Sequence, residues 1–178
     1  MFADPVAAPE AYRQSLLAAL GDDDPADVLA GGPAAVRTLV ADAGDLLRVR
    51  PEPGEWSVVE CVAHLADAEL IVAARYRWIV AEDEPLIVGY DQDLWVSRLR
   101  QVDDDPATLL AVFDTLRRWN LELWASRPEE DRQRVGRHTE RGPESYGLTF
   151  RLAAGHDRVH LAQARRALDA VRAARTEG

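Results

Sequence analysis

Residues 56–80, WSVVECVAHLADAELIVAARYRWIV, decide the fold of this chain. Ser57 and Glu60 stand three positions apart and form the capping-box pattern that begins a helix, and Trp56 before the cap can act as a hydrophobic staple. The helix that this signal opens is expected to continue to the end of the stretch. The residues that share a helical face with His64 are mostly apolar, so its imidazole is expected to point into the protein interior.

Start and stop signals divide the rest of the chain into further helices. Aspartate followed by proline marks two helix starts, at Asp24-Pro25 and at Asp105-Pro106. Gly31-Gly32-Pro33 is expected to break the first of these helices and to begin another one. Residues 127–146 are polar and are predicted to form a loop. The main helices predicted in this way cover residues 9–20, 33–48, 57–80, 106–126 and 147–175, with a short amphipathic piece at 93–101.

Long helices joined by loops, with few strand signals, are typical of an all-α protein. We therefore predict a four-helix bundle with short additional helices in the connections. The 178 residues are enough for one hydrophobic core, and 47% of them are hydrophobic, so a single domain over residues 1–178 is expected and disorder is not.

The composition argues against several classes of partner. With 31 acidic and 21 basic residues the net charge is −10, which disfavours nucleic acids and anionic membranes. No apolar run approaches the ~18 residues of a membrane span. Met1–Glu10 lacks the pattern of a signal peptide, and the only cysteine, Cys61, excludes an intramolecular disulfide. A cytoplasmic protein that acts on a small molecule is expected.

Three of the four histidines lie where they can share a metal ion. His156 and His160 are spaced i, i+4, so their imidazoles lie one turn apart on one helix face. Together with His64 from a facing helix, they would form a metal site with positions left open for water or substrate. His138 lies in a polar segment and is left outside the site. The face opposite His156 and His160 is expected to be solvent-facing because it carries arginines seven residues apart, namely Arg151, Arg158 and Arg165.

A second interpretation of these histidines needs no metal. A buried ring nitrogen without a partner costs about 1–3 kcal/mol, so inward imidazoles can instead be hydrogen-bonded within the core. Three neighbours are candidates for such contacts or for orienting metal ligands. Glu60 and Asp67 lie about one turn before and after His64, and Gln163 follows His160 by three residues. The capping box also explains Glu60, and an interhelical or solvent contact also explains Asp67.

Two more residues on the His64 face have alternative roles. Cys61, one turn before His64, can serve as a fourth, thiolate ligand or as a small buried apolar side chain. Arg75, about three turns after His64, can hold an anionic substrate or pair with an acidic side chain. The sequence does not decide between the two roles of Cys61 or between the two roles of Arg75.

The motifs together resemble a known family. Trp56-Ser57-Val58-Val59-Glu60 followed by His64-Leu65, with Gly147-Leu148-Thr149 leading into Gly155-His156-Asp157-Arg158-Val159-His160-Leu161-Ala162-Gln163, is similar to the DinB-like superfamily. The resemblance extends from about residue 10 to residue 173. It implies an up-down-down-up bundle with a long crossover, often a homodimer, with metal ligands at His64, His156 and His160.

The resemblance also implies a metal-dependent enzyme. The family includes transferases of the bacillithiol and mycothiol type, in which a metal-bound thiolate attacks an electrophilic small molecule. We therefore predict a thiol S-transferase or a related hydrolase, with metal-bound water or thiolate as the nucleophile and a low-molecular-weight thiol as a cosubstrate. Three imidazoles favour zinc, with nickel, iron, cobalt or manganese as alternatives. The competing interpretations are a non-catalytic, stress-related helical dimer with a structural metal and a helical dimer without metal.

Overall fold

The structure, a computed structural model, describes residues 7–177. The prediction that no signal peptide is present concerns Met1–Glu10, of which residues 1–6 lie outside the described part. The elements of this part are α1 Pro9–Leu20, α2 Pro25–Ala43, α3 Val58–Ala81, β1 Leu86–Ile87, α4 Gln92–Arg98, α5 Pro106–Ser126, β2 Val135–His138, β3 Gly142–Ser145 and α6 Tyr146–Glu177. The bounds of α1 and α5 coincide with those predicted, because Pro9, Gly21 and Asp105-Pro106 are strong local signals.

Helices α2, α3, α5 and α6 form the bundle, and their side-chain contacts define their directions. Helices α3 and α6 are antiparallel, since His64 meets His156 whereas Tyr76, farther along α3, packs against the earlier residue Tyr146.

Helix α5 runs in the same direction as α3, because Arg117 pairs with Glu69 and Asn120 accepts a hydrogen bond from the later residue Arg77. Helix α2 runs in the same direction as α6, as two ion pairs show. These pairs are Asp42–Arg165 and, just beyond the end of α2, Asp45–Arg175. The bundle is therefore up-down-down-up, as expected, and residues 82–105 form the long crossover that the parallel pair α3 and α5 requires.

Helix α1 lies outside the bundle against α6. Gly155 permits this close approach, because a Cβ atom there would lie 2.0 Å from the carbonyl oxygen of Leu16. Arg158 donates hydrogen bonds to the carbonyl oxygens of Ala19 and Leu20 at the end of α1. Arg158 and Arg165 are half-buried and Arg151 is exposed, so the expectation that the arginine face of α6 points to solvent holds only in part.

Helix α2 corrects the predicted break at Gly31-Gly32-Pro33, because it continues through all three residues. Proline in a helix removes the hydrogen bond to the carbonyl four residues earlier. Here that carbonyl belongs to Leu29, and it accepts a hydrogen bond of 2.8 Å from Nη1 of Arg117 instead. A side chain from another helix thus satisfies the group that the proline leaves without its usual partner.

Residues 127–146 correct the predicted loop. They contain a short 3₁₀ turn and the antiparallel pair β2–β3, and β1 from the crossover joins β2 in parallel. Strands of two to four residues carry too little alternation to be recognised from sequence. This sheet closes one side of the bundle end and buries His138.

The apolar core fills the bundle between α2, α3, α5 and α6 and continues under the sheet. Over residues 7–177, no helix combines the length and the apolar character needed to cross a membrane.

Candidate metal centre

The bundle brings together the three histidines that the sequence predicts as ligands. Each of His64, His156 and His160 offers one ring nitrogen, and these three atoms all lie within 4.8 Å of one another. The Nε2 atoms of His64 and His156 are 3.1 Å apart. Three imidazole nitrogens at such separations can share one ion after a small adjustment of their side chains.

Aromatic rings enclose the three imidazoles. Trp56 stacks on His160 with ring centroids 5.9 Å apart, and it also contacts His64 at 5.1 Å. Tyr90, from the crossover, lies on another side of His64 at 6.4 Å. His64 and His160 are buried, whereas His156 is half-buried. The cluster is therefore screened from bulk water and remains accessible through His156.

All three imidazoles are neutral at neutral pH. Burial lowers the pKa of His64 and His160 well below its usual range, and the neighbouring imidazoles lower it further. Burial, with the positive charges of Arg75 and Arg141, lowers the pKa of His156 to about 3. A neutral imidazole keeps the lone pair that a metal needs, so the donor set fits a divalent transition metal.

Gln163 contacts a candidate ligand, as its position predicted. Its Oε1 lies 2.9 Å from Nδ1 of His160. Because an amide oxygen only accepts hydrogen bonds, Nδ1 of His160 donates, and Nε2 is the ring nitrogen that keeps its lone pair. A hydrogen bond of this kind fixes the tautomer of a metal-binding histidine.

The other proposed neighbours of His64 have different partners. Glu60 accepts hydrogen bonds from the backbone and side chain of Ser57 and pairs with Arg50, as its capping position explains. Asp67 accepts a hydrogen bond from Gln101 of the crossover. Neither carboxylate is hydrogen-bonded to His64. A role of Glu60 or Asp67 in orienting the imidazole of His64 therefore stays a prediction.

Cys61 and His138 lie outside the cluster. Cys61 is fully buried among apolar side chains, and burial raises the pKa of its thiol to about 12. Of its two possible roles, a thiolate ligand or a small apolar core residue, the second therefore fits. Nδ1 of His138, in β2, accepts a hydrogen bond of 3.2 Å from the backbone N–H of Glu140.

A second buried polar cluster lies directly beside the histidines. Arg117 of α5 pairs with Glu69 of α3 and with Asp157 of α6, each at 2.7 Å, and Asn120 donates to the other oxygen of Glu69. Burial alone would lower the pKa of Arg117, but Asp157 and Glu69 raise it above its ordinary value. We call Glu69, Arg117 and Asp157 the ion triad. Gly32 makes room for it, because a Cβ atom there would lie 2.8 Å from Arg117.

A cavity of about 240 Å³ opens beside His156. Its apolar wall includes Leu16, Ile71 and Leu152, and its polar wall includes Arg75 and Tyr90. A small organic molecule in this cavity would reach the half-buried imidazole directly.

The sequence patterns do not predict the roles of Tyr90, Glu69 and Arg117. Tyr90 lies in the irregular crossover, where no periodicity indicates its direction. For Arg117 a signal exists, because it shares one face of α5 with Phe113 and Trp124 and is therefore a charge on an apolar stripe. Such a charge requires a buried partner, although the sequence does not identify that partner.

The fold and the histidine cluster define a class of four-helix-bundle proteins with a three-histidine centre. The profile of the DinB superfamily matches residues 28–164. The chain therefore belongs to the DinB superfamily, as the motifs indicated.

Curated relatives support this assignment, and a solved structure shares the fold. A protein named "Putative metal-dependent hydrolase" from Geobacillus kaustophilus is 33% identical over 139 residues, which cover 75% of this chain and 76% of the relative. One of the same name from Geobacillus thermodenitrificans is 31% identical over 74% of this chain and 75% of the relative. Another, from Oceanobacillus iheyensis, is 28% identical, and the match spans 63% of that relative's length.

YfiT from Bacillus subtilis, described as "a probable metal-dependent hydrolase with an unusual four-helix bundle topology", superimposes with a TM-score of 0.74. It is 23% identical, and the match covers 80% of this chain and 82% of YfiT, which shows the shared fold.

Proposed function

We propose that this protein is a metal-dependent enzyme whose divalent metal is held by His64, His156 and His160. The observation that carries the proposal is the convergence of three neutral imidazoles within 4.8 Å, one of which borders a cavity. The names of the relatives agree with a metal-dependent activity. Zinc is the metal we expect, because it suits imidazole ligands and needs no redox partner.

A catalytic metal is favoured over a structural one by the number of ligands. Structural zinc is almost always held by four protein ligands, whereas catalytic zinc keeps an open position. Within the described part of the chain the cluster comprises three residues, and no cysteine or carboxylate joins it. When bound, a divalent metal would supply a Lewis acid that lowers the pKa of a water molecule or a thiol at its open positions.

The protein's own residues supply position and enclosure. Gln163 holds the tautomer of His160, Trp56 covers the cluster from one side, and Tyr90 covers it from another. His156 presents the cluster to the cavity, where a substrate would be held away from bulk water. Exclusion of water strengthens the electrostatic interactions in such a site.

The environment of the carboxylates favours a thiol as the nucleophile. Hydrolysis by an activated water is normally assisted by a general acid or base. Glu69 and Asp157 border the cavity, but their oxygens are engaged by Arg117 and Asn120. A thiol bound to a metal loses its proton outright and needs no such assistance. We therefore propose transfer of a low-molecular-weight thiol, of the mycothiol or bacillithiol type, to an electrophilic small molecule.

Hydrolysis is the second candidate, because the curated relatives are named as hydrolases. That the protein forms a homodimer and that it is cytoplasmic both stay predictions.

The two activities are separated by one pair of assays on zinc-loaded protein. The first follows conjugation of 1-chloro-2,4-dinitrobenzene with N-acetylcysteine, and the second follows hydrolysis of 4-nitrophenyl acetate without thiol. We expect thiol conjugation at least about tenfold above the protein-free rate, lost in a His156→Ala, His160→Ala double variant. Zinc-dependent ester hydrolysis without conjugation would assign the second candidate. No zinc-dependent rate in either assay would contradict an enzyme of this kind.

A further inference from the structure

Arg75 is a buried cation without an acidic partner. It is 7% exposed, and no carboxylate of the described residues lies within ion-pair distance of it. One Nη donates a hydrogen bond of 3.0 Å to the carbonyl oxygen of Val88, while Nε has no hydrogen-bond partner among residues 7–176. Burial lowers the pKa of Arg75, and the nearby charge of Arg141 lowers it further. Since a buried charge is costly unless it is paired, an anion at this position would stabilise the protein.

Arg75 borders the same cavity as His156, so the unpaired charge and the metal centre face one space. Two tyrosines, Tyr12 and Tyr90, also border that space. Neither hydroxyl has a hydrogen-bond partner among residues 7–176. Burial raises the pKa of both tyrosines, so both hydroxyls are protonated donors at neutral pH.

No acidic side chain of the described residues forms an ion pair with Arg75. Glu69 and Asp157 are held by Arg117 in the ion triad, and Asp91 caps α4 by accepting from the backbone of Leu94. Glu144, beyond the cavity wall, pairs with Arg141 through two hydrogen bonds.

From these contacts we infer that Arg75, with Tyr12 and Tyr90, forms a subsite for the carboxylate of the substrate in the cavity that His156 borders. His64 and Arg75 are eleven positions apart on α3, about 16 Å along the helix axis. The span inside the cavity is shorter, because Tyr90 lies 6.4 Å from His64 and the charge of Arg75 acts on His156. The apolar side chains of the same cavity suit a short hydrocarbon chain. The substrate class is therefore a small organic acid whose reactive centre lies several bonds from its carboxylate.

A carboxylate fits better than a phosphate. The planar guanidinium matches the two oxygens of a carboxylate, and one arginine with two hydroxyls suits a single negative charge. A doubly charged phosphate would also meet the acidic residues of the cavity wall, Asp91 and Glu140 among them.

This subsite rests on the proposed function for its reactive end, but its affinity for a carboxylate requires no metal. The first arm of the test therefore uses metal-free protein and compares pentanoate with its neutral amide, pentanamide, by ligand-observed NMR titration. Wild-type protein should bind pentanoate at least about tenfold more tightly, as expected for a hydrogen-bonded charge. Arg75→Gln should abolish that preference, and Arg37→Gln, an exposed arginine on α2, should retain it. Inorganic phosphate should bind more weakly than pentanoate.

The second arm uses zinc-loaded protein and ω-mercaptoalkanoates of increasing length against the matched ω-mercaptoalkanols. One chain length should show the largest preference for the acid, and Arg75→Gln should remove that preference while leaving zinc content and affinity for the alcohol unchanged. Tyr90→Phe, a milder substitution, should reduce the preference about threefold or more.

The outcomes separate the subsite from the metal. Equal binding of pentanoate and pentanamide by wild-type protein would overturn the subsite whether or not zinc binds, and so would a preference that persists in Arg75→Gln. Failure to bind zinc, with the preference for pentanoate intact, would overturn the proposed function and leave the carboxylate subsite standing.

Discussion

Two polar clusters lie side by side in the bundle and start from adjacent residues of α6, His156 and Asp157. In the ion triad every carboxylate oxygen has a donor, and Arg117 also satisfies the carbonyl of Leu29. In the histidine cluster the ring nitrogens of His64 and His156 face each other at 3.1 Å, and Nδ1 of His160 is hydrogen-bonded to Gln163.

The difference indicates what each cluster does. A buried polar network in which every carboxylate oxygen has a donor fixes the packing of the helices that contribute to it, here α3, α5 and α6. Ring nitrogens that point at one another, and not at protein donors or acceptors, are suited to a shared ligand. Stability should therefore depend mainly on the triad, and metal binding mainly on the histidines.

The largest effect on stability is expected from the centre of the triad. Arg117→Met leaves Glu69 and Asp157 buried without their cation, which should lower the free energy of unfolding by about 3–5 kcal/mol. Urea denaturation of metal-free protein measures it. The control, Arg37→Met, removes an exposed ion pair with Asp114 and should cost about 1 kcal/mol or less. Equal losses in the two variants would contradict the structural role of the triad.

The neighbouring glycines of α2 provide a matched pair. Gly32→Ala places a Cβ 2.8 Å from Arg117 and 2.9 Å from Asp157, and should cost about 1–3 kcal/mol. Gly31→Ala meets nothing within 4 Å and should stabilise the helix by about 0.5–1 kcal/mol. Thermal melting of both proteins is the measurement. A stabilised Gly32→Ala variant would show that the triad tolerates displacement.

His138 isolates the effect of a single buried imidazole. Burial, with Arg141 and Arg75, lowers its pKa to about 4 in the folded protein, whereas the unfolded value is about 6.5. Between about pH 6.5 and pH 4 the imidazole is protonated in the unfolded state but not in the folded state. The stability contributed by the neutral imidazole is therefore complete above about pH 6.5 and is lost as the pH falls toward 4. From pH 7 to pH 5 the wild type should lose about 2 kcal/mol more than His138→Gln. Parallel losses in the two proteins, measured by denaturation at each pH, would contradict the lowered pKa.

Gln163 should influence metal affinity and not the fold. Gln163→Leu removes the acceptor that holds the tautomer of His160, and should weaken zinc binding about tenfold, or about 1.4 kcal/mol. Competition with a chromophoric chelator measures the affinity, and Gln133→Leu, at an exposed site, is the control. Unchanged affinity would remove Gln163 from the centre.

Local signals explain what could be predicted. Capping residues and prolines determined the ends of α1 and α5, and the face of α6 that carries His156 and His160 followed from helical periodicity. These features depend on residues a few positions apart, whose geometry is known once a helix is assumed.

The features that sequence reasoning missed depend on distant residues. Pro33 lies inside α2 because Arg117, 88 positions after Leu29, replaces the missing hydrogen bond. The strands β1 and β2 pair across about 50 residues, and each is too short to show a period. The sequence allowed Arg75 either to hold an anionic substrate or to pair with an acidic side chain. The structure shows that no acidic side chain of the described residues pairs with it.

The central claim is that the histidine cluster holds a metal and the ion triad does not. Its most direct test is elemental analysis of untagged protein purified without chelators, beside the His156→Ala, His160→Ala double variant and Arg117→Met. We predict about one metal per chain in the wild type, none in the double variant, and retained metal in whatever fraction of Arg117→Met is folded. Absence of metal from the wild type after incubation with zinc and nickel, or equal metal content in the double variant, would contradict the claim.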